Sequence, residues 1–194
     1  MFEAEKDKYL MKHGFGATRL KAVLFDMDGV LFDSMPNHAY SWSHAMTQFG
    51  LHITPEEAYM HEGRTGGGTI DLLAQRDWGR RATEEEKQTI YKAKSDVFSR
   101  CPEAPRMPGA YELLKKVKAD GFTPMVVTGS GQVSLIDRLN HNFPSVFRRD
   151  LMVTSFDVKY GKPNPEPYLM GLQKAGIQPV SYTHLRAHET RGNL

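Results

Sequence analysis

Two carboxylates two residues apart, Asp26 and Asp28, close an apolar run and precede a glycine in "KAVLFDMDGVLFDS" (21–34). Farther on, Thr128 ends a second apolar run in "FTPMVVTGSG" and is followed by Gly129, Ser130 and Gly131. Lys162 stands in "KYGKPNPEPY". Two acids held together without a counter-charge repel, and the pKa of one rises. A divalent cation removes the conflict. The pair then divides labour, with Asp26 an ionised nucleophile and metal ligand and Asp28, turned away, a proton shuttle.

Such groups need elements that bring them together. The apolar stretches 21–26, 122–131 and 150–157 each read as a buried parallel strand ending in a turn. Between them "PGAYELLKKVKADG", the segment 132–140 and "NPEPYLMGLQKAG" read as helices, two of them with glycine stops. Alternating strands and helices predict a parallel sheet with crossover helices. Ligands of such sheets bind beyond the carboxyl ends of the strands. Asp26, Asp28, Thr128 and Lys162 all fall at or just past such ends, so one crevice should collect them.

One section departs from this rhythm. Some seventy residues after the first strand carry no strong strand pattern. "PNHAYSWSHAMTQFG", "TPEEAYMHEG", "GTIDLLAQRDWG" and "TEEEKQTIYKAKSDVFSR" all read as helices, the last with a capping box at Thr83 and Glu86. This section is expected to be an inserted helical cap, hinged at 33–36 and 101–108, with Tyr40, Trp42 and Phe49 in its core. His38 reads as a half-buried helix residue, with a place pointing from the hinge toward the site as the alternative. Gly66–Gly67–Gly68 lacks the Lys-Ser/Thr of a phosphate loop and reads as a helix start. Residues 3–12 predict a further helix.

Composition narrows the function classes. The net charge is +2, and no Lys/Arg stripe with interleaved aromatics marks a nucleic-acid or membrane partner. No apolar run reaches the ~20 residues of a membrane span. The single Cys101 fits a reducing, cytoplasmic setting. The last stretch, "VSYTHLRAHET" from Val180, matches the translation of a transposase-type sequencing adapter. Residues 180–194 therefore read as a non-native tail contributing no site, and the pair His184 and His188 is set aside as a metal site. On this reading the sheet stops after its third strand and the natural protein continues past Pro179.

The three motifs "DMDGVLFDS", "VVTGSG" and "KYGKPNPEPY" resemble, in order, the first three of the haloacid dehalogenase (HAD) superfamily, and the insert resembles its C1 cap. The likeness is strongest to the beta-phosphoglucomutase-like group, and "YMHEGRTG" and "FDVKYGKPNPEPYLM" resemble a HAD-type inorganic pyrophosphatase. The resemblance implies an α/β fold. Its Rossmann-like core, C-terminally truncated, spans 21–34 and 106–179, with a cap at 35–105 and an extension at 1–20. It implies an aspartyl-phosphate on Asp26, acid–base work by Asp28, phosphoryl contacts from Thr128 and the Gly129–Gly131 loop, and charge neutralisation by Lys162. Mg2+ would sit on the Asp26 carboxylate and the Asp28 carbonyl. The family's acidic fourth-motif ligand would fall where the tail begins. In the cap loop, mutases of the group carry a lysine and an arginine. This chain has Glu62 and Gly66 there, with Arg64 between them. These features predict a Mg-dependent phosphohydrolase acting on pyrophosphate or a small phosphorylated substrate. The alternatives are a phosphosugar phosphatase or mutase, and an inactive fragment.

Overall fold

The computed structural model describes residues 7, 8, 10–12, 14, 20–131, 135–177 and 182–185. In chain order the elements are β1 (Ala22–Phe25), α1 (Met35–Thr47), α2 (Pro55–Met60), α3 (Gly66–Asp77), α4 (Glu84–Phe98), α5 (Ala110–Ala119), β2 (Thr123–Val127), α6 (Leu135–Asn142), a 3-10 turn (Arg149–Leu151), β3 (Met152–Val153), α7 (Glu166–Ala175) and β4 (Tyr182–Leu185). The strands form one parallel sheet in the order β3-β2-β1-β4.

Side-chain alternation explains why β1 is apolar throughout. Val23 and Phe25 point to the face shared with Leu114, Val117, Leu139 and Phe143 of α5, α6 and the following turn. Ala22 and Leu24 point to the other face, with Met125, Val153 and Tyr168. A strand covered on both faces has no position for a polar residue. Burying each large apolar side chain here stabilises the sheet by about 1.5–3 kcal/mol. The register sets Phe25 beside Val126, so Asp26 leaves β1 level with the end of β2, next to Thr128.

The fourth strand corrects the expectation of a three-stranded sheet. Tyr182 lies opposite Ala22 and Leu185 opposite Phe25. The free edge of β1 offers unpaired N–H and C=O groups, and a following segment can satisfy them through its own main chain. Tyr and Thr are good strand formers, so "YTHL" serves. Pairing of this kind is indifferent to where the residues came from. The rest of 178–194, including His188, lies outside the described residues. Of the helix expected over 3–12, residues 7, 8 and 10–12 are helical and the others lie outside the description; so do 132–134 ahead of α6.

Helices α1 to α4 enclose a separate core built on Trp42, Met46, Leu51, Ile70, Leu73 and Ile90. Thr54 with Glu57 and Thr83 with Glu86 close capping boxes, and Thr65 caps α3 at Gly66. Such caps satisfy N–H groups at the helix start that have no partner within the helix. Trp42 is buried and Phe49 packs against this core, but Tyr40 is exposed and stacks on His44 instead, on the outer face of α1. The chain crosses between cap and core twice, side by side: Asp33 N donates to Pro105 O at 2.9 Å and Asn37 Nδ2 to Pro102 O at 2.8 Å. Among the described residues no helix is long and apolar enough to cross a membrane.

Candidate active site

Asp26 emerges from β1 almost wholly buried, and Lys162, in the loop between β3 and α7, is buried as well. The Lys162 ammonium donates to Asp26 Oδ2 at 2.7 Å and to the Val127 carbonyl at 2.7 Å. The other Asp26 oxygen accepts from the Met27 N–H at 2.8 Å. The main chain at the ends of β1 and β2 thus fixes both groups, although they are far apart in sequence.

Asp28 sits in the turn that follows, where Gly29 takes φ of 74° and the Met27 carbonyl accepts from Leu31 and Phe32. A left-handed φ of this kind is natural to glycine. The Asp28 carboxylate accepts a hydrogen bond from the Ser34 hydroxyl and lies 3.1 Å from His38 Nε2. Ser34 occupies the N-cap of α1 without capping it, leaving its hydroxyl for Asp28. His38 stands four residues later, one turn along the helix, and so faces the same carboxylate. Its other nitrogen, Nδ1, is 3.0 Å from the Lys94 ammonium on α4. Lys94 is buried against Trp42 and Phe98.

At Asp28, side chains supply the counter-charge for which a divalent cation was expected. Burial pushes Asp28 up, but the His38 charge and hydrogen bond, with Ser34 and Lys94, outweigh it and hold the carboxyl at about 2. Asp26 has Lys162. The raised acid is Glu62 of the cap loop: burial, then the charges of Asp28 and Asp26, push it up to about 8, against the Gly63 N–H and Lys162. Burial likewise brings Lys94 down to about 8, although Asp28 and Glu62 pull the other way.

Thr128 is buried, and its hydroxyl accepts from the Ser130 N–H at 3.0 Å. The Ser130 carbonyl accepts from Ser155 N at 3.2 Å. Gly129 lies against the Gly63 and Arg64 carbonyls of the cap loop. Arg64 forms no salt bridge with a described residue; it lines a cavity of about 830 Å3 with Lys87, Lys159 and Lys162. The structure therefore gathers Asp26, Asp28, Thr128, Lys162 and Glu62 about one crevice, and sets Arg64 on its flank. It adds His38 and Lys94, neither of which lies in the three motifs. The signal for His38 was its place at the hinge, from which it can point toward the site.

Magnesium can be tested against this donor set. The available atoms are hard oxygens, a carboxylate of Asp26 and the carbonyl of Asp28, with the Glu62 carboxyl in their field. Among the described residues no three His, Cys, Asp or Glu side chains form a closed cation cage. A sparse oxygen set suits an ion that retains waters and takes substrate oxygens. The residues fit.

A sheet with paired aspartates at the end of its first strand, a lysine from beyond its third and a helical cap defines a class of hydrolase. The model of the haloacid dehalogenase-like hydrolases matches residues 20–184, and the chain belongs to that family. It is 61% identical to a Bacteroides vulgatus chain of known structure provisionally assigned as a beta-phosphoglucomutase (TM-score 0.86; 92% of this chain and 72% of that one). It is 30% identical over 164 residues to hexitol phosphatase A of Escherichia coli (strain K12), covering 83% of this chain and 71% of the relative. To pyrophosphatase PpaX of Oceanobacillus iheyensis it is 24% identical, covering 82% and 71%.

Proposed function

We propose that the chain is a magnesium-dependent phosphohydrolase that works through a phosphoaspartate on Asp26 and prefers inorganic pyrophosphate. The observation that carries the preference is Glu62, a carboxyl group that the cap loop brings into the field of Asp26 and Asp28. Protonated near neutral pH, Glu62 can ionise beside a cation and take the metal or a bound water, which suits a cation-loaded diphosphate. The Asp26 carboxylate and the Asp28 carbonyl would hold magnesium, which supplies charge neutralisation on the phosphoryl oxygens when bound.

In the first half-reaction an Asp26 oxygen bonds to phosphorus while the bond to the leaving oxygen breaks and its electron pair departs with it. A phosphate leaves as a stable anion, whereas a sugar alkoxide needs a proton. Lys162 balances the charge of Asp26 and then of the phosphoryl oxygens, and the Thr128 hydroxyl is placed to donate to one of them. In the second half, water attacks phosphorus, Asp28 takes its proton, and Asp26 is released. His38 and Lys94 hold Asp28 as the carboxylate that this step needs.

A phosphosugar phosphatase or mutase is the second reading. It draws on the sugar-phosphate relatives and on the cationic cavity beside Arg64. Phosphate release from pyrophosphate, hexose phosphates, nucleotides and an aryl phosphate, each with magnesium, separates the two. Pyrophosphate is expected to lead, Asp26→Asn to abolish turnover, and Glu62→Ala to impair pyrophosphate hydrolysis more than that of the aryl phosphate. A hexose phosphate favoured by tenfold or more, as an order of magnitude, would transfer the assignment to the second reading.

A further inference from the structure

Lys162 reaches Asp26 from a loop, and α7 holds that loop at both ends. The loop runs from Val153, where β3 stops, to Glu166, where α7 begins. Lys174, in the last turn of α7, donates to the Met152 carbonyl at 2.6 Å and to Asp157 Oδ1 at 2.7 Å. The other Asp157 oxygen accepts from the Thr154 N–H at 2.8 Å and from its hydroxyl at 2.9 Å. The start of the loop is thereby tied to the far end of the helix.

The stretch next to Lys162 is held by Glu166. Its Oε1 accepts from the Lys159 N–H at 2.8 Å and its Oε2 from the Tyr160 N–H at 2.9 Å. An acid in the first turn of a helix is favoured by the helix dipole in any case. This one does not serve its own helix, however. Both oxygens turn back along the chain to two consecutive loop N–H groups, a pair that suits an anion. Within the turn so formed, the Asn164 N–H donates to the Gly161 carbonyl at 3.1 Å, and Asn164 Oδ1 accepts from the Glu166 N–H at 2.9 Å. Lys159 and Tyr160 are exposed, yet Lys162, two residues on, is 1% exposed. The closed turn is what sends the chain inward at that point.

We propose that Glu166 is a positioning residue, whose carboxylate clasps the Lys159 and Tyr160 N–H groups and so aims Lys162 at Asp26. The inference rests on the roles of Lys162 and Asp26 in the reading above. The ammonium has fixed targets, Asp26 Oδ2 and the Val127 carbonyl, both at strand ends, with the Tyr168 ring of α7 5.8 Å away. Those targets do not travel with the loop, so the loop must be held to within about 0.5 Å for both bonds to form. A misplaced ammonium still attracts an anionic substrate. It loses its alignment with the charge that develops on the phosphoryl oxygens, which is a loss in kcat.

Two readouts test this. The first needs no substrate. In protein carrying isotope-labelled lysine, the buried Lys162 ammonium should give a slowly exchanging proton signal, identified by its loss in Lys162→Met. In Glu166→Ala that exchange should be about tenfold faster. Formate, a carboxylate small enough to occupy the vacated N–H pair, should slow it again. The second readout is kinetic. Losing a charge-assisted hydrogen bond corresponds to about a tenfold change. Glu166→Ala should lower kcat by about that factor on the phosphate compound that the wild type turns over fastest, with KM within about twofold, and formate should restore it. Glu166→Gln keeps the shape but turns an amide NH2 toward one of the N–H groups. It should lower kcat likewise and ignore formate, and it decides the matter if Glu166→Ala does not fold. Unchanged ammonium exchange in the folded variants overturns the proposal. So does a lowered Tm with kcat per folded molecule retained and no response to formate, which would leave Glu166 a stabilising helix-end acid. If no phosphate compound is turned over, the functional reading fails while the ammonium exchange still decides the clasp.

Discussion

Lys162 and Asp26 form an ion pair with 1% and 3% of their side chains exposed. Removing one member of such a pair leaves an uncompensated buried charge and costs about 3–5 kcal/mol. Lys162→Met should accordingly destabilise the metal-free protein by about that amount in urea unfolding, and magnesium should restore part of it by standing in as counter-charge. A loss near zero would show that Asp26 is already relieved by its surroundings. The four motif residues were legible in the sequence because each ends or follows an apolar strand run, which fixes its place by the geometry of parallel sheets. Lys94 was not legible. It lies in "YKAKSDVF", where Lys92 is exposed and Lys94 is buried. What separates them is the packing of α1 against α4, a tertiary fact with no single-sequence signal. His38 was underread for the same reason: its partner Asp28 lies across the hinge. At Asp28 the counter-charge comes from His38 and Lys94, and Glu62 is the acid that burial and the aspartates raise.

The elements fall into two kinds. Strands β1 and β2 and the cap helices announce themselves through apolar runs, prolines and Thr caps and stand where the pattern puts them, whereas of the run 150–157 only Met152–Val153 is strand and a 3-10 turn covers its start. β4 does not announce itself, because its residues had been set aside as translated adapter. What the sheet requires at the β1 edge is main-chain donors and acceptors, and a short segment can supply them without any special side chain. The identity of Thr183 and His184 should therefore matter little. Replacing both by Val should leave the unfolding transition and phosphate release within about twofold, since Val is a good strand former. Replacing both by Pro removes ladder donors and should lower Tm. A loss of activity in the Val variant with Tm retained would give the tail a role in the site, against the reading that it contributes none.

For the whole molecule, three buried groups give stability a distinctive pH profile. The fold holds Asp28 at about 2 against an ordinary 3.8, so the unfolded chain binds more protons in that window and stability is lost as pH falls through it. Glu62 works the other way. The fold raises it from 4.5 to about 8 and retains a proton that the unfolded chain gives up, so stability falls as pH rises toward 8. His61, lowered by burial and by Arg64, opposes this only below its ordinary 6.5, which leaves 6.5 to 8 as the clear window. Lys94 reverses the slope. Unfolded, it keeps its proton to 10.5; folded, it releases it near 8, so stability recovers above 8. Tyr91, raised from 10.0, limits that recovery to pH values below about 10. The metal-free protein should thus show a minimum near pH 8 in urea unfolding measured at closely spaced pH values. Glu62→Gln should remove the falling limb and Lys94→Met the rising one. Magnesium should make the falling limb shallower in the wild type, because burial raises Glu62 first and a cation beside Asp26 and Asp28 cancels only the repulsion added to it, and should leave the Lys94 limb in place. A profile without the minimum, unchanged by either substitution, would mean that Glu62 and Lys94 are not held where cap and core meet.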